Sequence, residues 1–245
     1  SAPIVVISLI DDIITVSSKI RFIIQFLSSI LALYFLGGVQ SIDFIVFELN
    51  GWWLNIVAVL SIIWFTNLYN FLDGIDGYAG SQAITAGVGS FVIINNSVGL
   101  LIAVCSLGFL YFNWPKASIF MGDVGSATLG FLFAILCFND TSNGNIYVWL
   151  ILLSLFWFDA TITLIRRYKN KEKLTQAHKK HAYQRLVQYG LTHKEVTIRF
   201  IIINILFIFL LKGTPVYAYT YLFLVIIIVL FALIKFVDKK KAFNT

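Results

Sequence analysis

The chain has 245 residues, 59% hydrophobic and 12% charged, with a mean hydropathy of +0.88. A soluble domain carries about 45–50% apolar and about 25% charged residues, so too few polar side chains are present to face water on all sides, and 23 Phe, 11 Tyr and 6 Trp exclude a disordered chain. Cys105 and Cys137 both lie in apolar runs, which implies no disulfide framework.

The composition and run lengths predict an all-α, polytopic transmembrane helical bundle. A spanning helix needs about 20 mostly apolar residues. Ala2–Leu9 is apolar but only half a span; because the chain starts at Ser1 rather than Met, it reads as the tail of a helix that begins upstream. Full spans are expected at about 22–39, 52–69, 78–95, 98–113, 124–139, 146–165, 197–212 and 216–237. The expectation is therefore about eight spans plus a partial N-terminal helix. The shorter runs need local thinning, close packing or aromatic anchors such as Trp52, Trp53 and Trp114. Long Ile/Leu/Phe/Val blocks without alternating polarity argue against a closed β-barrel. The one hydrophilic segment, Arg166–Arg199, forms a basic loop within what is otherwise a single 1–245 membrane domain.

The formal charge of +6 is uneven: residues 1–165 hold 3 Lys/Arg and 9 Asp/Glu (net −6), and 166–245 hold 15 and 3 (net +12). With eight spans, the loops at 10–21, 70–77, 114–123, 166–196 and 238–245 share one side. Together with the adjoining helix ends, that side carries 17 of the 18 Lys/Arg, leaving only Lys212 opposite. The positive-inside rule then places these loops and the C terminus in the cytoplasm.

Six acids gather at the cytoplasmic helix ends: Asp11, Asp12, Asp73, Asp76, Asp123 and Asp159. Each alone could mark a helix boundary, but boundary acids are costly and usually functional. Crowded carboxylates repel one another unless a cation intervenes, and hard oxygen ligands suit Mg²⁺. In Asn67-Leu-Tyr-Asn70-Phe-Leu-Asp73-Gly-Ile-Asp76-Gly77 the polar groups recur every third residue, a stripe winding slowly around a helix. Asn supplies both donor and acceptor for a nucleobase edge or a phosphate, although an amide seam between helices is the competing reading. Gly122-Asp123-Val-Gly125-Ser126 opens an apolar helix, where an acid suits a metal and free amides suit phosphate; a turn capped by Asp123 or Ser126 is the alternative.

In the basic loop, His178 and His181 share one face if the segment is helical. With Arg166, Arg167, Lys179, Lys180 and Arg185 they suit a polyanion. A polybasic patch on anionic lipid explains the lysines but not the paired histidines. Two His without further Cys or His give too few ligands for zinc.

Asp11-Asp12 at a helix end, Asn-x-x-Asn-x-x-Asp-Gly-x-Asp-Gly, Phe-Met-Gly-Asp-x-Gly-Ser, Asp159 before Arg166-Arg167, and the His-containing basic loop occur in one fixed order over about residues 5–200. This resembles the polyprenyl-phosphate N-acetylhexosamine-1-phosphate transferases of glycosyltransferase family 4. The His178–Gln184 stretch departs from the three-histidine loop of the peptidoglycan enzymes and is closer to the O-antigen branch. The resemblance implies transfer of N-acetylhexosamine-1-phosphate from a UDP-sugar to undecaprenyl phosphate, releasing UMP, at the bacterial inner membrane. Asp123 would ligate Mg²⁺ (or Mn²⁺), with Asp73 and Asp76 beside the metal and nucleoside. Asn67 and Asn70 would line the nucleotide site, and Phe120 would stack on uracil. Asp11 and Asp12 would position or deprotonate the lipid phosphate, while His178, His181, Arg166, Arg167 and Arg185 would hold the sugar diphosphate. Expected partners are UDP-N-acetylhexosamine, undecaprenyl phosphate, the bilayer and at most a second copy as a homodimer, with no nucleic acid. Family members carry about two further helices upstream, so a fragment of a longer protein is the expectation. A cation-coupled transporter would instead need acids at the bilayer midplane and inverted repeats, and neither appears. An inactive scaffold derived from the transferase is the other alternative.

Overall fold

The computed structural model describes residues 1–174, 176 and 178–244. Helix α1 (Ala2–Ile13) starts with Pro3 in its first turn, where a missing N–H costs nothing, and stops as Ile14 turns extended. Asp11 Oδ1 accepts the Val16 amide at 2.7 Å, closing the turn into α2 (Ser18–Phe35). A two-stranded antiparallel hairpin follows, β1 (Ser41–Asp43) paired with β2 (Glu48–Asn50). The all-α expectation omits it, since strands of three residues are too short to display alternating polarity. Asp43 Oδ1 accepts the Ile45 amide at 2.6 Å inside the hairpin turn.

Next come α3 (Leu54–Phe71), α4 (Tyr78–Ile94), α5 (Ser97–Asn113) and α6 (Gly122–Asn139). Helix α6 lies against α3 at Gly130, where an added Cβ would meet Tyr69 Cβ at 2.7 Å and the Phe65 carbonyl at 2.8 Å. Then α7 (Asn145–Leu152) and α8 (Ser154–Lys169) meet at a 68° bend. The chain ends with α9 (Ala182–Gln188), α10 (His193–Gly213) and α11 (Tyr219–Lys240).

Every expected span has a helical counterpart, but fewer are full-length. Among the described residues, five helices are long and apolar enough to cross a membrane, or six if the bent α7–α8 pair is one span. The difference lies in α4 and α5, which run 17 residues each. They are joined by a tight turn at left-handed Asn95 and at Asn96, whose side chain accepts the Gly99 amide at 2.7 Å. Arg166–Arg199 is no continuous loop: it holds the end of α8, all of α9 and the start of α10, which is closed by a Thr192/Glu195 capping box.

The bundle has two distinct ends. The hairpin sits against the chain leaving α6 and the starts of α7 and α11, with Thr141 Oγ1 donating to the Ser41 carbonyl (2.8 Å) and Tyr147 and Thr220 hydroxyls to the Phe44 carbonyl (3.3 Å each). The other end brings together the ends of α1, α3, α8 and α11 and the starts of α2, α6 and α10.

Candidate active site

The acids converge at this second end because each helix stops there. After Phe71 the chain leaves the helix, bends through Asp73-Gly74-Ile75-Asp76, and re-enters α4 through left-handed Gly77 (φ +74°). The expected helical stripe therefore breaks: Asn67 and Asn70 are on α3, while Asp73 and Asp76 are on the turn that follows. A glycine at positive φ is what permits so abrupt a reversal. Its amide donates to Asn113 Oδ1 at 2.9 Å, tying the turn to the end of α5.

A cavity of about 510 Å³ opens here, lined by Asn70, Asp73, Gly74, Ile75, Asp76, Asn113, Phe120, Gly122, Asp123 and His193. Asp123 lies in the first turn of α6, where the helix dipole favours an anion; neither expected cap is used, and Ser126 Oγ instead donates to the Gly122 carbonyl (2.8 Å) and Asn70 Oδ1 (2.7 Å). Asp11 and Asp12 reach the cavity's edge. Arg21 Nη1 bridges Asp11 Oδ2 (2.5 Å) and Asp123 Oδ2 (3.3 Å), and the Asp123 amide donates to Asp12 Oδ1 (3.3 Å). Gly122 is left-handed (φ +64°), and a Cβ there would fall 2.9 Å from Asp12 Oδ2. Asp76 Oδ2 accepts the Ala117 amide and lies 3.3 Å from His193 Nδ1. Phe120 is 74% exposed at the cavity mouth, leaving its ring free to stack.

Other expected residues sit elsewhere. Asn67 exchanges reciprocal amide bonds with Gln25 (3.2 and 2.7 Å) and does not line the cavity; at this position the interhelical seam is what forms. None of the expected residues from 166 to 185 lines it either. Arg166 holds Asp238 with two hydrogen bonds, Arg185 shares that carboxylate at 2.6 Å, and Arg167 is 2% exposed, bound to Glu172 and to the Lys173, Leu174 and Gln176 carbonyls. Lys180 also engages Glu172, and these bonds hold its carboxyl down to about 2. His178 and His181 do meet, with ring centroids 4.9 Å apart, but in an irregular segment with His181 as the N-cap of α9. Burial, then neighbouring His181, pushes His178 down to about 4, so it is neutral at pH 7. Asp159, expected at a helix end, lies inside α8 and does not line the cavity: both its oxygens accept the Ala182 amide at 2.9 Å, anchoring α9. Asp159 is thus an anchor of the loop.

Arg21, Asn113 and His193 belong to the site without having been singled out. Arg21 carried a signal, being one of only three Lys/Arg before residue 166; Asn113 and His193 look like ordinary helix-end residues.

The donors can be tested against a hard divalent cation. The Asp73 carboxylate has no hydrogen-bond or ion-pair partner among the described residues, and burial, then the negative charge of Asp123, pushes it up to about 7. A cation beside it would offset both the burial and the repulsion. No three acidic, His or Cys side chains are gathered at metal-binding distance among the described residues. The fit therefore rests on donor chemistry, with Asp73 and Asp123 as the pair.

The family model described as "Glycosyl transferase family 4" matches residues 1–139, which include every cavity residue except His193. The "Probable undecaprenyl-phosphate N-acetylglucosaminyl 1-phosphate transferase" of Bacillus subtilis (strain 168) is 33% identical over 222 residues, covering 83% of this chain and 61% of its own length. The "Phospho-N-acetylmuramoyl-pentapeptide-transferase" of Kosmotoga olearia is 31% identical over 121 residues (46% of this chain, 39% of its own length), and that of Rickettsia canadensis 29% over 185 residues (64% and 49%). The chain thus spans less than two thirds of the length of each of these relatives.

Proposed function

The chain belongs to glycosyl transferase family 4, and on that premise we propose that it transfers an N-acetylhexosamine-1-phosphate from a UDP-sugar to undecaprenyl phosphate, releasing UMP and initiating O-antigen or related cell-envelope glycan synthesis. The observation that carries this reading is the meeting of Asp11, Asp12, Asp73, Asp76 and Asp123 from separate stretches of chain around one cavity, with a free aromatic ring at its mouth. Such a site at a bundle end serves a substrate pair of which one needs water and the other lipid. Gathering the basic loop and the C-terminal segment at the same end supports a cytoplasmic orientation for both.

Phe120 stacks on the uracil, and Asn70 and Asp76 hold the nucleotide. Asp73 and Asp123 would hold Mg²⁺, which when bound offsets the diphosphate charge that repels an anionic nucleophile. Asp11 and Asp12 position the lipid phosphate, whose oxygen attacks the β-phosphorus as the bond to UMP breaks. Arg21 holds Asp11 and Asp123 in register. Catalysis is then chiefly positioning and electrostatic stabilisation.

The test is UMP release from a panel of UDP-sugars with undecaprenyl phosphate in detergent. Asp123→Asn should lower turnover by about 10²-fold or more while the protein stays folded. Wild-type turnover in that variant would remove the role of Asp123, and no release with any sugar from the intact chain would sink the transferase reading.

A further inference from the structure

Gly74 sits between the two acids of the turn, and its backbone is not left-handed, so conformation does not explain a glycine there. Space does. A Cβ at Gly74 would fall on Tyr183 Oη, 3.1 Å from Tyr183 Cζ and 3.3 Å from Gln184 Nε2. Tyr183 cannot retreat easily. It is 2% exposed, with its ring between Tyr78 (4.8 Å, 24°) and His181 (6.0 Å, 13°), and its hydroxyl donates to the Phe71 carbonyl at 3.2 Å. That carbonyl is one of those left without an intrahelical partner as α3 ends. Helix α9, which carries Tyr183, is itself pinned twice: Asp159 accepts the Ala182 amide, and Asp238 and the Lys241 carbonyl accept from Arg185 (2.6 and 3.0 Å).

We propose that Tyr183 is a positioning residue: it interlocks with Gly74 and, through the Phe71 carbonyl, sets the Asp73–Asp76 turn against Asp123. The basic segment then acts on the site by buttressing its floor from behind, while Arg166 and Arg185 stay committed to Asp238 and Arg167 and Lys180 to Glu172. The proposal rests on the transferase reading only for what the turn does, and not for the interlock itself.

The interlock predicts a rescue. In the full chain in detergent, Gly74→Ala should lower the thermal midpoint and weaken binding of Mn²⁺ alone, read by electron paramagnetic resonance, by about tenfold, equivalent to about 1.4 kcal/mol. Tyr183→Phe removes the hydroxyl but keeps the ring, and should cost about threefold. The double variant removes the overlap with Oη and leaves the new methyl against Cζ (3.1 Å) and the end of the Gln184 side chain (Nε2, 3.3 Å), contacts relieved by a shift of a few tenths of an ångström, and should return to within about threefold of Tyr183→Phe in both readouts. Gly108→Ala, which meets nothing within 4 Å, should match the wild type. Where Gly74→Ala alone does not accumulate, recovery of folded protein in the double variant is the same result. A double variant as impaired as Gly74→Ala overturns the interlock. Rescue of the thermal midpoint with Mn²⁺ affinity unmoved throughout reduces Tyr183 to a packing residue and overturns its positioning role. A chain that shows the rescue but releases no UMP sinks the transferase reading and leaves the interlock standing.

Discussion

Asn67 and Asn70 show how a side chain's job depends on where its own helix points it. One turn apart on α3, they look alike in sequence, yet Asn67 spends its amide on Gln25 and on the Ile63 carbonyl, whereas Asn70 faces the cavity and accepts from Ser126. Polar bonds between membrane helices are worth about 0.6 kcal/mol on average and up to about 1.7. Asn67→Ala should therefore lower the thermal midpoint with the KM for the UDP-sugar unchanged. Asn70→Ala should raise that KM or lower kcat, and equal kinetic losses in both variants would refute the division. The same lesson applies to the cations. Arg166, Arg167 and Arg185 look free for a diphosphate, but their anionic partners lie 5 to 72 residues away, and charge content alone does not disclose such pairings.

Helices and their ends were the most legible elements, because a run of apolar residues is stable in lipid only as a helix. What hydropathy does not disclose is where a span breaks. Residues 146–165 read as one continuous span, but the chain bends by 68° at Leu153, between α7 and α8. The bend leaves the Leu152 carbonyl without a helical partner, and buried Gln82 on α4 donates to it at 2.8 Å, with Asn204 on α10 bonding Gln82 in turn. Removing a donor from a buried carbonyl costs about 1–3 kcal/mol. Gln82→Leu should therefore destabilise the fold by about that amount, seen as a lower thermal midpoint; an unchanged midpoint would mean the bend needs no brace. The hairpin was illegible for a different reason: three-residue strands are held by cross-strand and turn bonds rather than by any pattern of their own.

At the scale of the molecule, the site's charge is a cost to the fold that depends on pH. Asp73 is pushed from its ordinary 3.8 up to about 7, so the folded state favours the neutral carboxyl. Its contribution to stability is present in full below about pH 4 and is lost as pH rises through about 7. With divalent cations chelated, the thermal midpoint of the wild type should fall across that window, and Asp73→Asn, which mimics the neutral form, should flatten the fall. A variant that keeps the full slope would show that Asp73 does not carry it. Composition, run length and the order of the motifs were enough to specify a multi-pass helical bundle and its family and to group six acids at one end, since lipid burial and charge are properties each residue carries wherever it sits; only packing took Asp159 out of that group and onto the Ala182 amide. Which polar groups remain free to meet a substrate was settled by packing alone: Arg21 between Asp11 and Asp123, Asp238 on Arg166 and Arg185, and Tyr183 against Gly74 are encounters between distant segments, and no local pattern encodes the distance across which two side chains will meet.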